Sequence, residues 1–285
     1  VGLIDPLVAG DQEVADRVDD GLPETLEEVI ETYGHTYFKI KVGGDLKADI
    51  DRLKRVAVVL DRNSAPYMAT LDGNEQYENA DGVIELLEAM GNEPGLKRLM
   101  ESILFLEQPI HRSRALECDV APLAAYMPVI IDESDADLDA FAAARNAGYA
   151  GVSSKNCKGF YKSLINLARC QMYSEHDDRP YFMSAEDLTC QAGVSVQQDL
   201  ALVALLGLGH VERNGHHYVN GMAGAGDDEQ SRFLEAHPDL YMRVNGRVCT
   251  RIEKGKLSVA SLNGPGFGTA AEPDWYAMQD MDLVS

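Results

Sequence analysis

The sequence predicts an α/β fold, a (β/α)7β TIM-like barrel with a C-terminal tail of short strands. Three observations lead there. Eight short apolar runs recur along the 285 residues, each closing on polar residues. Segments with amphipathic helical spacing lie between them, the alternation expected of a parallel sheet with crossover helices. No glycine-rich turn follows the first run, where a doubly wound sheet more often carries one. At 45% hydrophobic, a chain of this length can bury a large core.

In chain order, VGLID (1–5) reads as the first strand and PETLEEVIETYG, after Gly21, as the first helix. YFKIKV (37–42) is the second strand, with Tyr37, Lys39 and Lys41 on one face and Phe38, Ile40 and Val42 on the other. The helix DLKADIDRLKRVAVVL, the strand YMATLD (67–72) and the helix ADGVIELLEAM follow. ILFLEQ (103–108) is the fourth strand, joined through a helix ALECDVAPLAAY to the fifth, PVIIDES (128–134). Asp135 and Asp137 stand near the start of the helix DLDAFAAARNAG, Asp135 as a candidate cap, and Gly148 follows its end. GVSSKN (151–156), FYKSLINLARCQMYSEH, YFMSAED (181–187), VSVQQDLALVALLGLG and HVERN (210–214) complete the alternation, with Asp187 a second candidate cap. After His237, turn signals at Asn245-Gly246 and Gly255 read as short antiparallel strands outside the barrel. Gly264 to Gly268 lacks the Lys-Ser/Thr and the helix of a phosphate loop and reads as a tight turn. Trp275 and Tyr276 read as packing for the tail. The expected division is a catalytic barrel over 1–238 and a C-terminal segment over 239–285.

The formal charge of −22 argues against nucleic acid and anionic membranes as partners. No apolar run approaches the roughly 18 residues of a membrane-spanning helix, and the opening VGLIDPLVAGDQ lacks the basic start of a signal peptide. Five scattered cysteines without a CxxC pair suit reduced thiols, so a cytoplasmic location is expected.

In a barrel of this kind the active site lies at the C-terminal ends of the strands. The polar residues there are Lys39 and Lys41, Asp72 with Asn74, Glu107, Asp132 with Glu133, Lys155, Glu186 with Asp187, and Glu212. Three successive strands end in Asp72, Glu107 and Asp132. Three carboxylates crowded at one rim repel one another unless a cation compensates. An all-oxygen set with room for water and substrate suits Mg²⁺, for which Mn²⁺ can substitute, whereas zinc more often recruits His or Cys. Lys41 and Lys155 flank the acid-bearing strands, an arrangement for moving protons at both faces of a carbon, with burial and a nearby cation lowering a lysine's pKa.

KIK, LDGN, LEQP, IDES and SSKNCKG, in this order, resemble the enolase superfamily, most closely its muconate-lactonising and mandelate-racemase-like members. The resemblance implies Asp72, Glu107 and Asp132 as Mg²⁺ ligands, Lys41 and Lys155 as the two acid/bases, Lys39 polarising a substrate carboxylate, and Asn74 behind the ligands. It also implies a base working against a metal-stabilised enediolate. Where that branch often shows a KxK before GG, this chain has Lys155, Lys158 and a single Gly159, which leaves Lys158 a lesser candidate. The His of the mandelate-racemase branch is replaced by Ser184-Ala185-Glu186-Asp187, which disfavours that variant. Family members carry an N-terminal α+β cap, which is expected to be absent here or to lie outside this chain.

The expected reaction is abstraction of the proton α to a carboxylate of a small acid, ending in racemisation or epimerisation, dehydration or cycloisomerisation. The alternatives are a metal-binding barrel without turnover and an aldolase-type lyase with Lys155 as Schiff-base nucleophile. Glu212 is expected either to meet substrate or to pair with a neighbour. His210, His216 and His217 are expected near substrate or on the surface. The apolar helix beginning at Val194 suits a homo-oligomer.

Overall fold

The computed structural model describes residues 2–3, 17–62, 65–186, 192–212 and 219–278. Seven parallel strands form one sheet in chain order: β1 (Gly2–Leu3), β2 (Tyr37–Lys41), β3 (Met68–Asp72), β4 (Ile103–Glu107), β5 (Val129–Ile131), β6 (Gly151–Ser154) and β7 (Phe182–Ala185). A single parallel bridge, Glu212 to Glu186, adds a rudiment of the eighth. Of the predicted strands at 1–5 and 210–214, residues 1, 4, 5, 213 and 214 lie outside the described residues.

The first three helices start where a side chain satisfies their first N–H groups. Thr25 caps α1 (Leu26–Tyr33) by accepting from Glu28 N, and Gly34, at φ +64°, closes it by donating to Ile30 O. Asp45 caps α2 (Leu46–Asp61) and Asn79 caps α3 (Ala80–Asn92). The short α4 (Lys97–Ser102) was not expected from the sequence. The helix predicted over ALECDVAPLAAY reduces to turns and a 3₁₀ segment, Ala121–Ala125. Pro122 disfavours helical backbone at the residue before it, which breaks the longer helix. The candidate cap Asp135 is also corrected. It is buried, while Asp137 accepts from Asp139 N and Ala140 N at the start of α5 (Ala140–Asn146). α6 (Phe160–Asp177) and α7 (Val194–Leu205) lie at their predicted places, and α8 (Asp227–Ala236) is an addition.

Alternation along the strands sorts side chains between two interiors. Outward residues, among them Phe38, Ile40, Leu71, Leu106, Ile131 and Val152, share one core with helix residues such as Leu53, Val83, Leu86 and Phe141. Inward, Phe105 of β4 lies against Phe182 of β7 with ring centroids 5.5 Å apart, and His210 stacks on Tyr37 at 6.2 Å. Strands spaced about 4.8 Å apart would hold β2 and β7 roughly 24 Å apart in a flat sheet. The ammonium of Lys39 on β2 is instead 3.4 Å from Glu186 beyond β7, so the sheet curls around its inward face.

A second cluster joins Val196 and Leu200 of α7, Phe233 of α8 and a two-stranded antiparallel hairpin, β8 (Tyr241–Val244) with β9 (Arg247–Thr250). The hairpin turns at Asn245 and Gly246, both at positive φ. Phe267, in the predicted glycine turn, packs edge-on against Phe160 at the start of α6. Trp275 and Tyr276 differ from expectation, being 60% and 101% exposed. Among the described residues no helix is long and apolar enough to cross a membrane.

Candidate active site

The inward polar residues converge at the C-terminal ends of the strands. Lys39, two residues before the end of β2, is buried under four carboxylates. Its Nζ lies 2.5 Å from Glu212, 3.0 Å from Asp72, 3.1 Å from Glu107 and 3.4 Å from Glu186. Burial disfavours its charge, but Glu107, Glu212, Asp72 and Glu186 outweigh that and hold its pKa well above the usual lysine value. Lys39 is therefore a fixed cation at the base of the site.

Asp132 is the second centre. Lys155 Nζ lies 2.5 Å from its Oδ2 and 3.0 Å from Glu186, while Lys158 Nζ lies 2.6 Å from its Oδ1. Burial pushes the Asp132 pKa up, yet Lys158 and Lys155 bring it below the usual carboxylate range. For Lys155 the shift is opposite to the lowering expected from the sequence. Burial does lower it, but Asp132 and Glu186 at contact distance raise it further than burial lowers it. Lys158 also donates to the carbonyls of Asp132 and Ser153, both at 2.8 Å, so its three protons are all held by the protein.

Lys41 reaches the cluster through an intermediary. Its Nζ donates to Asn74 Oδ1 at 3.3 Å, and Asn74 Nδ2 donates to Glu133 Oε1 at 3.2 Å. The LDGN turn makes this possible: Asn74 N donates to Asp72 Oδ1 at 2.8 Å with Asn74 at φ +42°. Between them Gly73 packs so closely that an added Cβ would come within 2.5 Å of Pro109 Cα of LEQP. Behind the site, Lys162 pairs with Asp135 at 3.1 Å, and Ser154 hydrogen-bonds Ser163 at 2.9 Å, tying α6 to β6 and to the loop after β5.

All ten predicted site residues thus face one region. The distribution among the acids differs in one respect. Among the described residues, the three carboxylates with oxygens within 4.8 Å of one another are Glu107, Asp132 and Glu186, while Asp72 joins them through the Lys39 ammonium. Residue types fit a hard divalent cation, since the donors are all carboxylate oxygens. So does the charge state. Glu107 Oε1 and Glu133 Oε2 are buried without hydrogen-bond partners, and Glu107 has its pKa raised well above the usual value, chiefly by burial and then by Asp72, Asp132 and Glu186 against the pull of Lys39. Gln108 and Lys162 carried no role in the sequence, and Asp135 only that of a cap, although all three are polar residues at buried positions. His210 lies in the ring floor, with burial lowering its pKa, whereas Asp187, His216 and His217 lie outside the described residues.

Carboxylates and lysines gathered at the C-terminal rim of a curled parallel sheet define a class of protein. The chain belongs to the enolase C-terminal domain-like family, whose model matches residues 21–175, more than half its length. It is accordingly an enolase-superfamily protein of the mandelate racemase and muconate-lactonizing type. Among solved structures it is similar to a mandelate racemase/muconate lactonizing family protein from Azoarcus sp. EbN1, at 22% identity and TM-score 0.55 over 86% of this chain and 58% of that one. An isomerase from Streptomyces coelicolor A3(2) aligns at 16% identity and TM-score 0.56, over 86% of this chain and 55% of that one. A mandelate racemase/muconate lactonizing enzyme from Roseiflexus sp. aligns at 22% identity and TM-score 0.52, over 65% of this chain and 50% of that one. At these identities the likeness is one of fold, and the chain spans about half the length of these relatives. No curated protein matches its sequence.

Proposed function

We propose that the chain abstracts the proton α to the carboxylate of a small acid, Mg²⁺-dependently and through an enediolate, with racemisation, epimerisation, dehydration or cycloisomerisation as the outcome. The observation that carries this reading is the buried set of Glu107, Asp132 and Glu186 with the Lys155 ammonium directly upon it. Asp72, Glu107 and Asp132 would hold the ion, with Glu186 beside them. A bound Mg²⁺ would supply positive charge to substrate oxygens as the enediolate forms. Lys39 adds a second, fixed positive charge below. Lys155, which Asp132 and Glu186 keep protonated, would carry the proton for the α-carbon. Lys41, oriented by Asn74 and Glu133, addresses that carbon from the other side.

Two measurements test this. Calorimetric titration should show Mg²⁺ binding that Asp132→Ala weakens sharply, and unchanged binding in that variant rejects the ion site. Exchange of the α-proton in D₂O, on a carboxylate found by screening, tests the lysines. Lys155→Ala should abolish turnover yet leave exchange of one stereoisomer, and Lys41→Ala should show the reverse preference. Wild-type exchange of both isomers by both variants would remove the two lysines from the mechanism.

A further inference from the structure

Gln108 occupies a costly position. Its side chain is fully buried, and its backbone lies at φ +34°, in the left-handed region that costs a non-glycine residue on the order of 1–2 kcal/mol. Surroundings that keep a residue there must hold it firmly, and here every hydrogen-bonding position of the amide is used. Oε1 accepts from the backbone N–H of Asp132 at 2.8 Å and of Ser134 at 3.1 Å. Nε2 donates to Ile110 O at 2.8 Å and to Ser134 Oγ at 2.7 Å. The backbone of Gln108 donates to Ile130 O and accepts from Glu75 N, both at 2.9 Å. One residue thereby ties the loop after β4 to the end of β5 and to the loop after β3.

We infer that Gln108 is a positioning residue for ion binding: it fixes the Asp132 backbone from which the carboxylate is aimed. The inference rests on Asp132 being an ion ligand, as proposed above. Asp132 is held from its other side by Lys158, which donates to its carbonyl and carboxylate, so the peptide has little freedom to turn. An ionised glutamate cannot replace Gln108, because one of its oxygens would face the Ile110 carbonyl oxygen without a proton between them, and a protonated one has a single O–H for the two acceptors Ile110 O and Ser134 Oγ. Groups that orient a metal ligand commonly change ion affinity 10–100-fold when removed, without touching the ion.

The test uses the full chain as wild type, Gln108→Ala, Gln108→Glu and Leu86→Ala, the last a core truncation in α3. Two readouts are taken: the Mg²⁺ dissociation constant by calorimetry, and amide hydrogen exchange of Asp132 and Ser134 by NMR in metal-stripped protein. Both Gln108 variants should bind Mg²⁺ at least about tenfold more weakly. Leu86→Ala should melt earlier yet bind as wild type, which separates positioning from general stability. In wild type the two amides should exchange slowly, a measurement that needs no variant to fold, and in Gln108→Ala they should exchange fast. Wild-type Mg²⁺ affinity in Gln108→Ala, or exchange of the wild-type amides as fast as an exposed loop, overturns the inference. Absence of Mg²⁺ binding by wild type overturns the proposed ion site instead, and the exchange rates still decide whether Gln108 holds Asp132.

Discussion

At the residue scale, burial and charge pull in opposite directions within one cluster, and Glu212 shows the balance. Burial raises its pKa, Lys39 at 2.5 Å lowers it and Glu186 raises it again, leaving it at about 7 against the usual 4.5. A carboxyl group raised on folding costs nothing below its ordinary pKa and destabilises as pH rises and it must ionise in place. In metal-stripped protein Glu212 should therefore cost nothing below about pH 4.5 and on the order of 3 kcal/mol once pH has risen from there to about 7. Glu212→Gln should flatten that slope, as followed by Tm across the range, and an unchanged slope would show that another group sets it. The inward alternation of Lys39 and Lys41 was readable in YFKIKV, because strand geometry is local. That Lys39 would meet four acids was not, because Glu186 and Glu212 lie far along the chain.

At the element scale, the sheet is only as regular as its closest contacts allow. Gly151 opens β6 where an added Cβ would fall 2.4 Å from Phe182 O and 2.9 Å from Ile130 Cγ2. Gly151→Ala should cost about 1–3 kcal/mol and displace β6, and with it Lys155. Gly91, near the end of α3, has nothing within 4 Å of that position, and Gly91→Ala should stabilise by up to about 1 kcal/mol. Denaturant midpoints of the two variants should move in opposite directions, and equal shifts would contradict the contact argument. The helices that Thr25, Asp45 and Asn79 cap were readable because amphipathic spacing is local, although these three caps were not singled out in the sequence. The helix expected over ALECDVAPLAAY does not form because the one proline inside it outweighs the apolar spacing.

At the scale of the whole molecule, an ion held by the acids gathered at one end of the sheet, as proposed, would link cation binding to folding. Mg²⁺ at about a hundred times its dissociation constant should stabilise by roughly 2.7 kcal/mol. Metal-stripped protein should accordingly melt several degrees higher on adding Mg²⁺, while Asp132→Ala should not respond. Scanning calorimetry checks this, and an equal rise in that variant would place the ion elsewhere on this strongly acidic chain.

The sequence by itself determined the alternation of strands and helices, the two faces of β2 and the polar residues that end the strands, because these follow from periods of two and 3.6 residues. It brought the motifs of KIK, LDGN, LEQP and IDES into register on successive strands. Only the tertiary structure decided which acids lie close enough together to share a cation. Curling brings Glu186 beside Glu107 and Asp132, and it sets Lys39 between Asp72 and Glu212. It also decided the part played by Gln108, a glutamine like any other in the chain until its amide meets the backbone of Asp132. Proximity across a curled sheet depends on how strands far apart in sequence pack together, and no local spacing encodes that distance.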